Sequence, residues 1–345
     1  MGVKILNTIY KLHRAIGAGV LLRAKSYFCS TMKVIHEYPR IIFLGTPDFA
    51  VASLRALVEH GYNVVAVVTA PDKPAGRGMQ LRASAVKEYA LAQSLDVLQP
   101  EKLKNPDFLQ LLKSYAADLQ VVVAFRMLPE QVWNMPPLGT VNVHASLLPQ
   151  YRGAAPINRA IMNGEQVTGV TTFKLKHEID TGNILLQRQV AILPEDNVGV
   201  LYEKLMQEGA NLLVETVDGL INNTIQEQPQ IYSETLHHAP KIFKDDCLIH
   251  WSKSGAEIVN QIRGLSPYPA AFTQLEGKQL KIYNGYSTKE NDLAQPGTVD
   301  TDGKLYLRFA TADGWLYATD VQFEGKKRMD IQAFLRGFRL GMASA

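Results

Sequence analysis

The chain has 345 residues, 46% hydrophobic and 20% charged; that is more than one core usually encloses, so two domains are expected. A formal charge of +3 is too small to mark a nucleic-acid binder by itself, although a basic patch on a near-neutral protein can serve one. No apolar run approaches the roughly 20 residues that cross a bilayer, so the chain reads as soluble with no membrane partner. The two cysteines, Cys29 and Cys247, form no metal-spaced cluster, so no metal is expected and a reducing compartment is favoured.

Residues 1–38 stand apart from the rest. Lys4, Lys11, Arg14, Arg23, Lys25 and Lys33 meet no acidic residue before Glu37, the balance of a transit peptide. The plainer reading is a mis-assigned start with the true start at Met32. A secretory signal fits less well, because "AIGAGVLL" is short and no small-residue cleavage site follows it.

From Arg40 strand and helix alternate: "RIIFLG" before "FAVASLRALVEHG", "NVVAVVTA" before "SAVKEYALAQSL", then "LQVVVAF" and "GTVNVHAS". Near-continuous Val and Ile runs predict strands buried on both faces, hence a doubly wound α/β domain with a mostly parallel, Rossmann-like sheet. It closes with "GVTTFKL", "ILLQRQVAI" and a long amphipathic helix ending near Ile221. The domain is expected over residues 39–223. "IQEQPQIYSETLHHAPKI" then reads as a linker over 224–240. Short β-rich runs separated by Gly and Asp turns over 241–345 predict a small antiparallel, OB-like barrel.

Four stretches carry chemistry. The loop "PDKPAGRGMQLRA" is longer than such connections usually are, and with Gly76 and Gly78 around Arg77, and Lys73 and Arg82 nearby, it reads as a flexible, positive flap or a plain mobile loop. In "TVNVHAS", Asn142 and His144 are two apart on a strand, so both leave one face beside its carboxyl end, where open α/β sheets bind ligands. An amide and an imidazole together can hydrogen-bond an oxygen that turns negative during acyl transfer. In "SLLPQYRGAAP", Pro149 breaks the strand and Arg152 opens a turn, solvated or holding an anion or a main-chain turn. In "KHEIDTGNIL", Asp180 is either a turn former or a carboxylate that reaches His144, orients it and helps relay a proton. "GTPDFA" is not a nucleotide loop, for it lacks both G-x-G-x-x-G and G-K-[ST].

"GTPDFA", "PDKPAGRG", "NVHASLLPQYRGAAPI", "IDTG", "RGLSPYPAAF", "GKKRM" and "FLRG", in order and across nearly the whole chain from Arg40, resemble the methionyl-tRNA formyltransferase family. The Asn-x-His and Asp-Thr-Gly pieces alone would indicate only the wider formyl-tetrahydrofolate-dependent superfamily. The resemblance implies formyl transfer from 10-formyltetrahydrofolate to the α-amino group of methionyl initiator tRNA, by a cytoplasmic monomer of bacterial type, or in the mitochondrial matrix if residues 1–31 are a transit peptide. It implies Asn142, His144 and Asp180 as the catalytic set. Folate contacts are implied for Ser146, Leu147, Leu148 and Pro149, and for Phe125, Arg126, Met127 and Leu128 beside the pterin pocket. For tRNA it implies Arg77 near the acceptor end and a carboxyl-terminal domain that holds the acceptor arm; Lys73 and Arg152, and Lys326, Lys327 and Arg328 in that domain, are expected as further contacts from their charge.

Two positions depart from the family pattern: Arg126, where many relatives have Gly, and Lys174, in a strand where an apolar residue is expected. Residues 1–38 have no counterpart in it. Independently of the family, Lys241, Lys244, Lys253, Arg263, Arg336 and Arg339, interleaved with Trp251, Tyr268 and Trp315, suggest a basic, aromatic face for RNA or an ordinary solvated surface. The rivals are a related formyltransferase acting on a sugar-nucleotide or small ribonucleotide amine, and a catalytically idle RNA-binding module.

Overall fold

The near-continuous apolar runs form the first sheet of the computed structural model, which describes residues 39–75, 80–232, 235–291, 294–339 and 341. The expectations for residues 1–38 and for Arg77 lie outside the described residues. Chain order is β1 (Ile41–Gly45), α1 (Asp48–Glu59), β2 (Val64–Val68), β3 (Lys73–Ala75), β4 (Gln80–Arg82), α2 (Ala85–Ala92), β5 (Val97–Leu98), α3 (Pro106–Ser114) and β6 (Leu119–Val123). There follow α4 (Glu130–Trp133), β7 (Thr140–His144), β8 (Arg152–Gly153), α5 (Pro156–Met162), β9 (Val167–Lys174), β10 (Ile184–Ala191) and α6 (Val198–Ile221).

The seven-stranded sheet has the order β10-β9-β7-β6-β1-β2-β5. β5, β2, β1, β6 and β7 run parallel, while β9 and β10 join antiparallel at one side. β1 and β6 are buried along their whole length. Because side chains alternate between faces, Ile41, Phe43 and Val121 pack with α6 residues such as Leu201 and Leu205 on one face. Ile42, Leu44 and Val122 pack with Phe108 and Leu112 of α3 on the other.

The sequence after α6, expected to be a linker, is bonded at several of its described residues. Gln228 exchanges backbone hydrogen bonds with Ile184 at 2.7 and 2.9 Å, and β11 (His238–Ala239) pairs in parallel with β8. Loose polar composition reports exposure to water, not whether the amides and carbonyls have found protein partners. At the base of the long loop after β2, Lys73 faces Arg82 in a β3–β4 ladder.

The remaining elements are α7 (Gly255–Leu265), β12 (Ala271–Leu275), β13 (Lys278–Lys289), β14 (Val299–Thr301), β15 (Leu307–Ala310), β16 (Gly314–Phe323), β17 (Met329–Asp330) and α8 (Ile331–Arg336). Their antiparallel sheet runs β12-β13-β16-β15-β14, with β17 on β16. Register shifts at Ile282–Gly285 bend the long β13, so the expected barrel is a curled half-barrel around Phe309, Leu316 and Ile258. α7 starts with a capping box, Ser254 with Glu257, and packs on α5. Asn158 donates to the Gly264 carbonyl at 2.8 Å and Arg159 pairs with Asp246 at 3.0 Å, so residues 39–345 form one compact unit.

Candidate active site

The parallel order reverses between β1 and β6, the switch point at which open α/β sheets leave a crevice at their carboxyl ends. A cavity of about 740 Å³ opens there, walled by Pro47 and Phe49 after β1, by Ala124–Leu128 after β6, by Asn142 and His144 of β7, and by Gly153–Asn158 and Leu175–Asp180. Tyr202 of α6 closes one side, its hydroxyl donating to Asp48 at 2.5 Å and accepting from the Phe49 amide at 3.0 Å. Burial, and then Asp48, push its pKa above the ordinary phenol range, so this wall carries a neutral hydroxyl.

The expected set of three is brought together. The Asn142 side chain is half-buried in the cavity wall and makes no hydrogen bond among the described residues. The His144 and Asp180 side chains are 8% and 11% exposed, with Nδ1 3.9 Å from Oδ2. That is an ion-pair distance, longer than a hydrogen bond. The orientation of His144, expected from Asp180, comes instead from the Tyr151 carbonyl, 3.0 Å from Nε2. A carbonyl only accepts, so Nε2 carries its proton and Nδ1 is the nitrogen that can gain or lose one.

Asp180 is itself held. Its Oδ2 accepts the Gly153 amide at 3.0 Å, and its backbone has φ +54°, a left-handed conformation that Asp tolerates better than most residues. Gly153 has φ +125°, and a Cβ there would lie 2.5 Å from the Ala239 carbonyl oxygen. We expect Gly153→Ala to part β8 from β11, to cost about 1–3 kcal/mol of stability, and to draw the amide away from Asp180. Urea unfolding and turnover should fall together, and a variant as stable as the parent would contradict this.

Tyr151 completes the back of the site. Its hydroxyl donates to Glu165 at 2.5 Å and accepts from Asn163 at 3.1 Å, and its ring stacks on His237 at 5.6 Å. Burial first, and then Glu165, raise its pKa.

The eight expected folate residues divide. Phe125, Arg126, Met127 and Leu128 line the cavity, whereas Ser146–Pro149 are not brought to its wall. Ser146 donates to the Gln150 carbonyl at 2.6 Å, Thr171 donates to the Ser146 carbonyl at 2.7 Å, and Gln187 donates to the Leu148 carbonyl at 2.9 Å. These bonds turn the stretch inward and fix the loop that carries the Tyr151 carbonyl. Arg126, the departure from the family pattern, is bound to the carbonyls of Glu101, at 2.8 Å, and Pro100, with its guanidinium 5.7 Å from the Phe125 ring centre. The second departure, Lys174, pairs with Glu227 at 2.7 Å, and this bond is the leading cause that lowers the pKa of Glu227.

The expected tRNA contacts divide too. Lys73, Lys326 and Lys327 are exposed, and the two ammonium groups in the β16–β17 turn pair with no acid among the described residues. Arg328 is held by Asp320 at 2.5 to 3.0 Å and lies 4.2 Å from the Tyr283 ring centre. Arg152 is held by the Gln230 side chain and lies 4.9 Å from the Tyr232 ring centre. Arg263 donates to the carbonyls of Leu193 and Asp196 at 3.1 and 2.9 Å, and burial lowers its pKa. Trp251 stacks on Phe309 at 4.5 Å and Trp315 is 8% exposed, so neither is a free platform for a base, whereas Tyr268 is 82% exposed. Sequence reasoning missed Tyr151, Tyr202 and Gln230: Tyr151 lies within a stretch singled out for other residues, and Tyr202 and Gln230 sit in no motif with a chemical signature. No cluster of three or more His, Cys, Asp or Glu side chains suited to a metal occurs among the described residues, and no helix among them is long and apolar enough to cross a membrane.

Residues 39–217 match the family model described as Formyl transferase, and residues 241–339 match Formyl transferase, C-terminal domain. The chain is 54% identical over 310 residues to a methionyl-tRNA formyltransferase of Bacteroides thetaiotaomicron, covering 87% of this chain and 96% of the relative. A methionyl-tRNA formyltransferase of Flavobacterium johnsoniae is 48% identical over 305 residues, with the same coverage. Among solved structures, a Helicobacter canadensis N-formyltransferase in complex with folinic acid and dTDP-3-aminofucose superposes with a TM-score of 0.61 at 22% identity, over 81% of this chain and 98% of that one. HypX from Aquifex aeolicus in complex with tetrahydrofolic acid gives 0.56 at 19%, over 88% of this chain; the chain spans about half of its length, 48%. At these identities the two structures show a shared fold. With two family models in order and about half of all positions shared with relatives over nearly their full length, the chain belongs to the methionyl-tRNA formyltransferase family.

Proposed function

We propose that the chain transfers the formyl group of 10-formyltetrahydrofolate to the α-amino group of methionyl initiator tRNA, in a bacterial-type cytoplasm. The observation that supports it best is the meeting of Asn142, whose side-chain amide has no partner among the described residues, with His144 and Asp180 on the wall of one largely apolar cavity at the sheet's switch point. Such a cavity, with Phe125, Met127, Leu128 and Trp133 in its wall, suits a flat heteroaromatic ligand held by a few polar groups. Phe125–Leu128 would hold the donor's ring, and Ser146–Pro149 would support the loop beside it. The donor brings an already activated formyl group, so the protein supplies position and electrostatics.

Asn142 donates to the oxygen that gains negative charge as the amine adds, an interaction worth most in a site from which water is excluded. His144 takes up the amine's proton at Nδ1 while the Tyr151 carbonyl holds Nε2–H in place, and the proton passes to the donor's N10 as the oxyanion collapses and the bond from the formyl carbon to N10 breaks. Asp180 stabilises the imidazolium so formed. At 3.9 Å the two do not exchange a proton directly, so transfer between them needs a bridging group or a small closure. In this reading the chain has two modules with residues 224–240 between them, and the half-barrel meets the tRNA through Lys326, Lys327 and Tyr268, with Lys73 and Arg77 at the acceptor end. Arg152, Arg263 and Arg328 are assigned to holding the protein's own structure.

The reading is tested by supplying 10-formyltetrahydrofolate with methionyl initiator tRNA, free methionine or an aminosugar nucleotide as acceptor. Formyl-methionyl-tRNA as sole product is expected, and transfer only to the sugar nucleotide would overturn it. If three phosphates are contacted, tRNA affinity should fall by roughly 20- to 40-fold between about 50 and 200 mM salt. A flat response in filter binding would refute the phosphate contacts.

A further inference from the structure

The segment between α6 and β11 inverts the usual burial rule. Ile231 is 84% exposed while its neighbour Gln230 is 7% exposed, and a buried amide is costly unless every polar atom is bonded. Gln230 is bonded at both ends. Its Nε2 donates to the carbonyls of Asp180 and Gly182, each at 2.8 Å. Its Oε1 accepts from Arg152 Nε at 3.2 Å and Nη2 at 2.5 Å. Two donors and two lone pairs are thus all used.

These bonds close a ring. It runs from the Asp180 carbonyl through Gln230 to the Arg152 guanidinium, along the backbone to the Gly153 amide, and back through 3.0 Å to the Asp180 carboxylate. The residue before Arg152 is Tyr151, whose carbonyl holds His144. Both acid and imidazole are therefore tied to one side chain that lies outside the cavity wall. The left-handed backbone of Asp180 is one that Asp tolerates, and the bond from Gln230 to its carbonyl ties that turn to the Arg152–Gly153 strand.

We propose that Gln230 is a positioning residue for the reaction: it fixes the Asp180 turn and the Arg152–Gly153 strand in the one arrangement that faces the carboxylate towards His144. This rests on the catalytic reading of Asp180. Gln230→Glu keeps the shape and the Arg152 contact but sets an oxygen against two carbonyls, removing only the donor half of the clasp. Gln230→Ala removes both halves and serves as the second variant should the first fold poorly.

Turnover in the full-length chain should fall roughly 10- to 100-fold in either variant, as expected for a displacement of about 1 Å at a catalytic group. KM for donor and tRNA should stay within about twofold, because Gln230 is buried and lies outside the cavity wall. The decisive arm is the double-mutant cycle: in an Asp180→Ala background, Gln230→Glu should cost no further turnover. A loss equal in both backgrounds would overturn the inference, since Gln230 would then act on something other than Asp180. Parent-like turnover in both Gln230 variants beside an impaired Asp180→Ala would overturn it while sparing the catalytic reading, and a fully active Asp180→Ala would overturn both.

Discussion

Replacing Asp180 with alanine lowers turnover by roughly 10²- to 10⁴-fold, the range for loss of a group that assists proton transfer, and leaves tRNA affinity nearly unchanged. Two losses are combined in that variant. The imidazolium at His144 loses its only nearby carboxylate among the described residues, 3.9 Å away, and a residue with no special tolerance for φ +54° must occupy the turn. Asp180→Asn separates them, because asparagine accepts the left-handed conformation and can still receive the Gly153 amide. If charge is what matters, single-turnover rates of the two variants fall together. An asparagine variant as fast as the parent would show that the carboxylate serves only as a turn former.

Asn142→Ala is the second large effect, roughly 10²- to 10³-fold in turnover, as for a lost donor to a developing oxyanion. β7 is held on both sides by backbone pairing, Asn142 opposite Val122 and Phe173. Truncating its side chain breaks no hydrogen bond among the described residues, so stability should change by less than about 0.5 kcal/mol. A loss of turnover at constant KM and constant thermal midpoint identifies an interaction made only as the reaction proceeds. A rise in KM alone would make Asn142 a binding group instead.

The unevenness between what was expected and what was found has a common cause. Asn142 and His144 were legible because two residues on one strand must share a face, whereas the wall from Phe125 was expected only from the family resemblance. Arg152 and Arg328 were visible as cations but not as ones already engaged, since Gln230 and Asp320 meet them only after folding. Trp251 and Trp315 looked like stacking platforms, and the half-barrel covers them. The polar stretch 224–240 resembled a linker, because sequence shows donors and acceptors without showing which are satisfied.

The sequence by itself determined the doubly wound sheet, the antiparallel sheet of the carboxyl-terminal part, the strand that carries Asn142 and His144, and the family. Each depends on periodicity or on contiguous motifs, and hence on chemistry local to the chain. Only the tertiary structure decided that Tyr151 rather than Asp180 orients His144, that Ser146–Pro149 turn inward, and that Gln230 clasps Asp180 to Arg152. Those are hydrogen bonds between segments up to 78 residues apart, directional over about 3 Å, and their existence depends on how the sheet, α6 and the returning strap bring the backbone together.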